Sequence, residues 1–219
     1  MLRSQIFINN ELYHIYNRGV DKRDIFSDQY DIDRFYQSMR EFNSTDPIGS
    51  IFENSFKNPL GGSTSKSRLV NLVAYCFNPN HYHLILEQLV DNGISIFMQR
   101  LGGYTMYFNE KYKRSGALFQ GKYKVKHITS NDYLLHLSAY INLNDQVHGF
   151  DNHNYNFEIK SSWQEYIDKE NRENLCRKDI VLDQFKSIKE YGNFAREALT
   201  LMQKKKEDDK ELKGLILDY

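Results

Sequence analysis

An α+β fold is what this sequence predicts, and three observations predict it. Short segments that alternate apolar and polar residues, the pattern of half-buried strands, are interleaved with segments whose apolar residues recur at helical spacing. The 219 residues are 40% hydrophobic and 26% charged, the balance of a globular chain that can bury a sizeable core without staples. Only 3 prolines and 12 glycines are present, too few for a loop-dominated architecture.

Tyr13–Asn17 (YHIYN) alternates and then meets Arg18-Gly19, which reads as a first strand and its turn. From Asp31 to Phe42, Ile32, Phe35, Tyr36 and Met39 form a helical stripe. Pro47, Pro59, Gly61-Gly62 and a Ser/Thr/Lys tract then mark a connection, with a mobile loop expected at about 54–68 and a short helix at Ile48–Phe56. Leu69–Phe77 (LVNLVAYCF) and His81–Glu87 (HYHLILE) flank the turn Asn78-Pro79-Asn80 and predict a hairpin. Ile94, Phe97, Met98, Leu101, Thr105, Phe108 and Tyr112 predict one long amphipathic helix. Gly102-Gly103 inside it costs about 1 kcal/mol per glycine against Ala, so a close neighbour is expected there. Tyr123–Ile128 (YKVKHI) alternates as a fourth strand, and Ser130 caps a helix running to about Asn144. The order matches the ferredoxin-like β-α-β-β-α-β pattern with an added helix. Residues 149–219 carry no strand signal and read as a helical C-terminal extension of two or three helices, with Ile180, Leu182, Phe185 and Ile188 as one apolar face. The expected division is 1–148 and 149–219.

Charge and cysteine narrow the function classes. Basic and acidic residues balance at 29 each, so bulk charge names no partner. From Arg100 to Lys126, however, seven basic residues face one acidic residue, a formal +6, interleaved with Tyr104, Tyr107, Phe108, Tyr112, Phe119 and Tyr123. Positive charge beside aromatic faces suits a polyanion whose bases stack; a solvated helix face and strand would look similar. Cys76 and Cys176 lie far apart with no C-x-x-C spacing, which excludes a disulfide scaffold or thiolate zinc site and fits a reducing cytoplasm. No stretch approaches a membrane span or a signal-peptide apolar region, so a cytoplasmic protein without membrane contact is expected.

His81-Tyr82-His83 places two imidazoles two residues apart on a strand, on one face, where they can share a metal; Tyr82 points the other way. The alternative is a pair of histidines on a half-exposed strand. Tyr140 and Asn144 lie four apart on one helical face, where a tyrosine packed over the sheet is the simpler reading.

The segments YHIYNRG (13–19), AYCFNPNHYHLILE (74–87), FMQRL (97–101), YTMYFNEKYKRSGALFQGK (104–122) and YLLHLSAYINLN (133–144) together resemble the single-tyrosine HUH transposases, most closely the REP-associated tyrosine transposases. The resemblance is collinear over about residues 10–150, and SSWQEY (161–166) matches more loosely. It implies a ferredoxin-like sheet, His81 and His83 as metal ligands, Asn144 as the third polar ligand and Tyr140 as nucleophile. Where the family continues with Pro and an RAG-like run, this chain has Asp145-Gln146-Val147, so the helix end is expected to be shaped differently. The implied reaction cleaves one DNA strand and rejoins it through a covalent 5′-phosphotyrosine, with Mg²⁺ or Mn²⁺ suiting nitrogen and oxygen ligands without thiolate. A free phenol, with a pKa of about 10, is only about 0.1% ionised at neutral pH, so the site must activate it. The expected partner is single-stranded or hairpin DNA, contacted by Arg18, Arg100, Lys122 and Lys124. Monomer and homodimer both stay open. The alternatives are a domesticated hairpin-binding protein without transposition, a rolling-circle initiator, for which no helicase or origin-binding domain is present, a hydrolase using Glu87 as acidic ligand, and an interaction module with these residues as core.

Overall fold

The structure, a computed structural model, describes residues 6–51, 67–150, 155–168 and 175–217, the last segment with side chains to 208. In chain order the elements are β1 (Leu12–Arg18), α1 (Gln29–Phe42), β2 (Val70–Asn78), β3 (His81–Gln88), α2 (Gly93–Leu101), α3 (Tyr104–Lys111) and β4 (Lys124–His127). They continue with α4 (Asn131–Asn142), α5 (Asn144–His148), β5 (Lys160–Ser161), α6 (Trp163–Ile167), α7 (Asp179–Leu182) and α8 (Ile188–Leu217). The loop expected at 54–68 and most of the helix expected at Ile48–Phe56 lie outside the described residues.

The strands form one antiparallel sheet in the order β4-β1-β3-β2-β5. Its first four members reproduce the order expected of the ferredoxin-like pattern. β5 was not expected: Lys160 and Ser161 pair with Phe77 and Cys76 at the β2 edge, too short a stretch to show alternation. Register divides the side chains between two faces. Ile15, Tyr82, Leu84 and Phe77 share one face, and Phe26, Phe35 and Tyr104 stack against it in edge-on and tilted contacts. The opposite face carries His14, Tyr16, His81, His83 and Cys76; α4 covers the β2 side of it, and α8 packs on α4.

Two helix expectations need correcting. The long helix over 94–112 is two helices, α2 and α3, broken at Gly102-Gly103. Both glycines are exposed, and a Cβ there would meet only carbonyls of the preceding turn, so no neighbouring element packs close. The glycines loosen the helix rather than admit a partner. The apolar face at 180–188 is likewise interrupted, because α7 ends at Leu182 and α8 starts at Ile188; Val181 is the buried residue of α7.

Gly19 shows why β1 must turn where it does. A Cβ there would sit 2.0 Å from the Arg23 carbonyl oxygen, so only glycine permits the chain to fold back after Arg18. The following α1 is anchored electrostatically. Asp28 and Asp31 form a reciprocal capping box, and buried Asp31 also accepts from the Ser27 amide at 2.8 Å. Lys111 at the end of α3 donates to Asp28 at 2.7 Å and Asp31 at 2.8 Å, and the Tyr112 hydroxyl donates to Asp31 at 2.8 Å. Lys111→Met is expected to orphan the Asp31 charge only in part, since backbone and phenol donors remain. A loss of about 2–3 kcal/mol in urea unfolding is expected, below the usual range for a fully stranded buried charge.

Candidate active site on the sheet

The turn Pro79-Asn80 launches β3, so His81 is its first residue and takes its orientation from the turn itself. His81 Nδ1 donates to Asn80 Oδ1 at 2.5 Å, while Asn80 Nδ2 donates to the Lys22 carbonyl at 3.2 Å, which settles which end of the amide faces the ring. With its proton on Nδ1, His81 keeps a lone pair on Nε2. That nitrogen accepts from Asn78 Nδ2 at 3.0 Å and lies 3.1 Å from Asn144 Oδ1, which also accepts from Asn78 at 2.6 Å. His81 Nε2 and Asn144 Oδ1 therefore face each other as two acceptors. Adjacent ligands of an octahedral cation with bonds near 2.1 Å stand about 3 Å apart, so the spacing of the pair suits a divalent ion that displaces the Asn78 amide now donating to both. Asn144 Nδ2, buried, meets no acceptor in hydrogen-bond geometry.

His83 projects from the same face, its ring 5.2 Å from that of His81 and nearly perpendicular to it. Its Nδ1 lies 2.9 Å from His14 Nε2 on β1. Burial is the main cause that lowers these imidazoles: His81 and His14 fall to about 4 and His83 lies well below the ordinary value, so all three are neutral at physiological pH. Neutral imidazole is the metal-binding form. Among the described residues no three His, Cys, Asp or Glu side chains converge as a metal site, and the candidate donors on this face are the two imidazoles and the Asn144 amide oxygen.

Tyr140, in the last turns of α4, sets its ring edge-on to His83 at 5.6 Å. Burial raises its phenol pKa, opposed by the neighbouring Asn144 amide and by the charge of Arg18. Tyr140, His81, His83, Arg18 and Lys124 line one cavity of about 250 Å³. The helix that carries Tyr140 is clamped from behind. Asn142 donates to the Tyr191 hydroxyl of α8 at 2.8 Å and accepts from Ser162, and Ser138 lies 3.2 Å from the same hydroxyl. Buried Asn142, with Ser138 one turn before it, is thus the seat of the C-terminal segment on this helix.

The structure brings together six of the eight residues singled out in the sequence and separates two. Arg100 lies on α2, across the sheet from the cavity. It donates to the carbonyls of Phe42 and Ser44, at 3.0 and 2.6 Å, so it caps the chain leaving α1 and does not face the cavity. Lys122 is exposed beside a smaller hollow on the reverse face, with Tyr82 and Phe119. The +6 stretch as a single surface is therefore corrected. Lys111 is spent on Asp28 and Asp31, and Tyr104 and Phe108 are buried in the core. Glu87, the acidic ligand of the hydrolase alternative, is held by Arg177 at 2.7 Å and Asn71 at 2.7 Å at the far end of β3.

Sequence reasoning missed His14, Tyr16 and His148. The first two share one face of β1 by alternation, but that this is the histidine face follows only from the register of β1 with β3. His148 was not legible at all, because the extra turn α5, closed by Gly149 in the left-handed conformation, carries it back to within 5.1 Å of the His81 ring. This turn occupies the place where the chain departs from the family pattern.

No curated protein matches the chain. A solved structure of a REP-associated tyrosine transposase bound to a REP hairpin aligns with a TM-score of 0.48 at 12% identity, over 77% of this chain and 86% of that one. Residues 52–144 match the family model described as transposase IS200 like, a span that contains His81, His83, Tyr140 and Asn144. Over that segment the chain is similar to the IS200-like transposases.

Proposed function

We propose that the chain is a metal-dependent single-strand DNA endonuclease and strand transferase acting on single-stranded or hairpin DNA. The observation that carries this reading is the convergence of Tyr140, His81 and His83 at one cavity bordered by Arg18 and Lys124, with Asn144 buried against His81. The Tyr140 phenol oxygen attacks a phosphorus, the bond to the 3′ oxygen breaks, and the 5′ phosphate is held as a phosphotyrosine while the phenol proton leaves to solvent. A later 3′-OH reverses the attack and restores the phenol, so no nucleotide is consumed. A divalent ion held by His81, His83 and Asn144, Mg²⁺ or Mn²⁺, would offset charge on the non-bridging oxygens.

The chain's own groups supply the rest. Arg18 pulls the Tyr140 pKa down against burial and lines the same cavity, where its guanidinium would meet the scissile phosphate. Tyr140 meets the His83 of its own chain, and α8 holds the tyrosine helix there, so one molecule completes the site. Incubating the protein with an end-labelled hairpin bearing a single-stranded flank, in Mg²⁺ or Mn²⁺, is expected to give an adduct that survives boiling in detergent. Specific hairpin binding with no adduct under any metal would favour the binding-protein alternative.

Electrostatics give a separate check. Arg18→Ala and Lys124→Ala should each lower hairpin affinity and flatten the log affinity versus log salt slope by about 0.7, one single-strand phosphate contact apiece. Arg100→Ala should leave the slope unchanged and lower the melting temperature instead. A slope that flattens in Arg100→Ala would put DNA on the reverse face.

A further inference from the structure

His81 and His83 present the same problem, and the chain solves it by different means. Each ring must carry its proton on the nitrogen away from the cavity if the other nitrogen is to bind a cation. For His81 the answer is built in, since Asn80 Oδ1 can only accept. The partner of His83 is His14, another imidazole, whose facing nitrogen can either donate or accept. If His14 donates, the His83 proton sits on Nε2 and blocks it. If His14 accepts, His83 Nε2 is a free lone pair.

We propose that His14 is the positioning residue of the site: it accepts the His83 Nδ1 proton across the 2.9 Å contact and holds His83 as the Nδ1–H tautomer. This rests on the reading of His83 as a ligand, and it adds a residue to that reading. Two observations support it, and a consequence of it agrees with them. The His14 ring is stacked on His83, 5.1 Å between centroids with planes 24° apart. Tyr16 stacks on both rings, at 4.7 Å from His14 and 5.6 Å from His83, so neither is free to turn away. And with His14 accepting, both histidines are held alike, each by an outer acceptor at Nδ1, the arrangement in which a second layer of hydrogen bonds sets ligand orientation and basicity.

The test pairs two variants with a spectroscopic readout. His14→Phe keeps a flat ring between Tyr16 and His83 but removes the acceptor; His14→Gln restores an acceptor oxygen. Long-range ¹⁵N–¹H correlation spectra of the metal-free protein should show His83 protonated on Nδ1 in the wild type and in His14→Gln, and not uniquely so in His14→Phe. Mn²⁺ affinity by calorimetry should fall about 10- to 100-fold in His14→Phe and be largely recovered in His14→Gln. A wild-type His83 protonated on Nε2, or a His14→Phe protein whose His83 remains uniquely Nδ1-protonated, would overturn the proposal. If wild type binds no Mn²⁺, the metal reading falls, and the tautomer spectra still decide the role of His14.

Discussion

Tyr140→Phe is expected to abolish both strand cleavage and the detergent-resistant protein–DNA adduct while leaving the fold and hairpin affinity nearly intact. The substitution removes one hydroxyl and almost no volume. The phenol is not held by a strong network, since its contacts are the His83 ring and the neighbouring Asn144 amide, so a stability change within about 1–2 kcal/mol is expected. The competing tyrosines are separable. Tyr82 lies on the reverse face against Phe35 and Phe119, with its pKa pushed up by burial, so Tyr82→Phe should keep the adduct. Tyr133 sits at the start of α4 under Lys126, 4.3 Å from its ring, and Tyr133→Phe should also keep it. Tyr16 is the serious competitor, because it lines the same cavity and stacks 5.6 Å from His83. An adduct in Tyr140→Phe that mapped to Tyr16 would overturn the assignment of the nucleophile and preserve the chemistry.

The competition from Tyr16 shows where sequence reading reaches its limit. Periodicity alone located β1, β3 and α4, and alternation along β3 alone put His81 and His83 on one face; those readings needed only the local repeat of a strand or helix. The pairing of His14 with His83 depends on which strands are neighbours and on a register, Tyr16 opposite His83, that no local pattern states. The misplacing of Arg100 has a similar origin. Its charge is plain in the sequence, but its carbonyl partners, Phe42 and Ser44, lie more than fifty residues away. Seven cations close together in sequence looked like one surface, whereas α2 and β4 lie on different parts of the sheet. Asn142 is a polar residue that the sequence leaves without a role, and only the fold of the C-terminal segment shows Tyr191 and Ser162 as its partners. The extra turn α5 was signalled only as a departure from the family pattern at 145–147. Its consequence, His148 against His81, is a matter of chain path rather than composition.

The His81→Ala/His83→Ala protein is expected to show no Mn²⁺ binding in calorimetry. His81 Nε2 and Asn144 Oδ1 are the two acceptors that already face each other, and an amide oxygen alone is a weak ligand for a divalent ion. Stability should fall as well. Removing His83 leaves His14 Nε2 without its 2.9 Å partner, a buried polar loss of about 1–3 kcal/mol, whereas on loss of His81 the Asn78 amide keeps Asn144 and Asn80 is partly open to water. Relief of the burial that holds both imidazoles neutral offsets part of this, so a melt lower by several degrees is expected rather than a collapsed fold. Two single variants separate ligand loss from general damage. Asn144→Ala removes the oxygen but keeps both imidazoles, and should weaken Mn²⁺ without eliminating it. His148→Ala removes the ring beside His81 from the outside and should leave Mn²⁺ affinity near wild type. Retained Mn²⁺ affinity in the folded double variant would place the metal elsewhere, and complete loss in His148→Ala would make the site a three-histidine centre with Asn144 in an outer role.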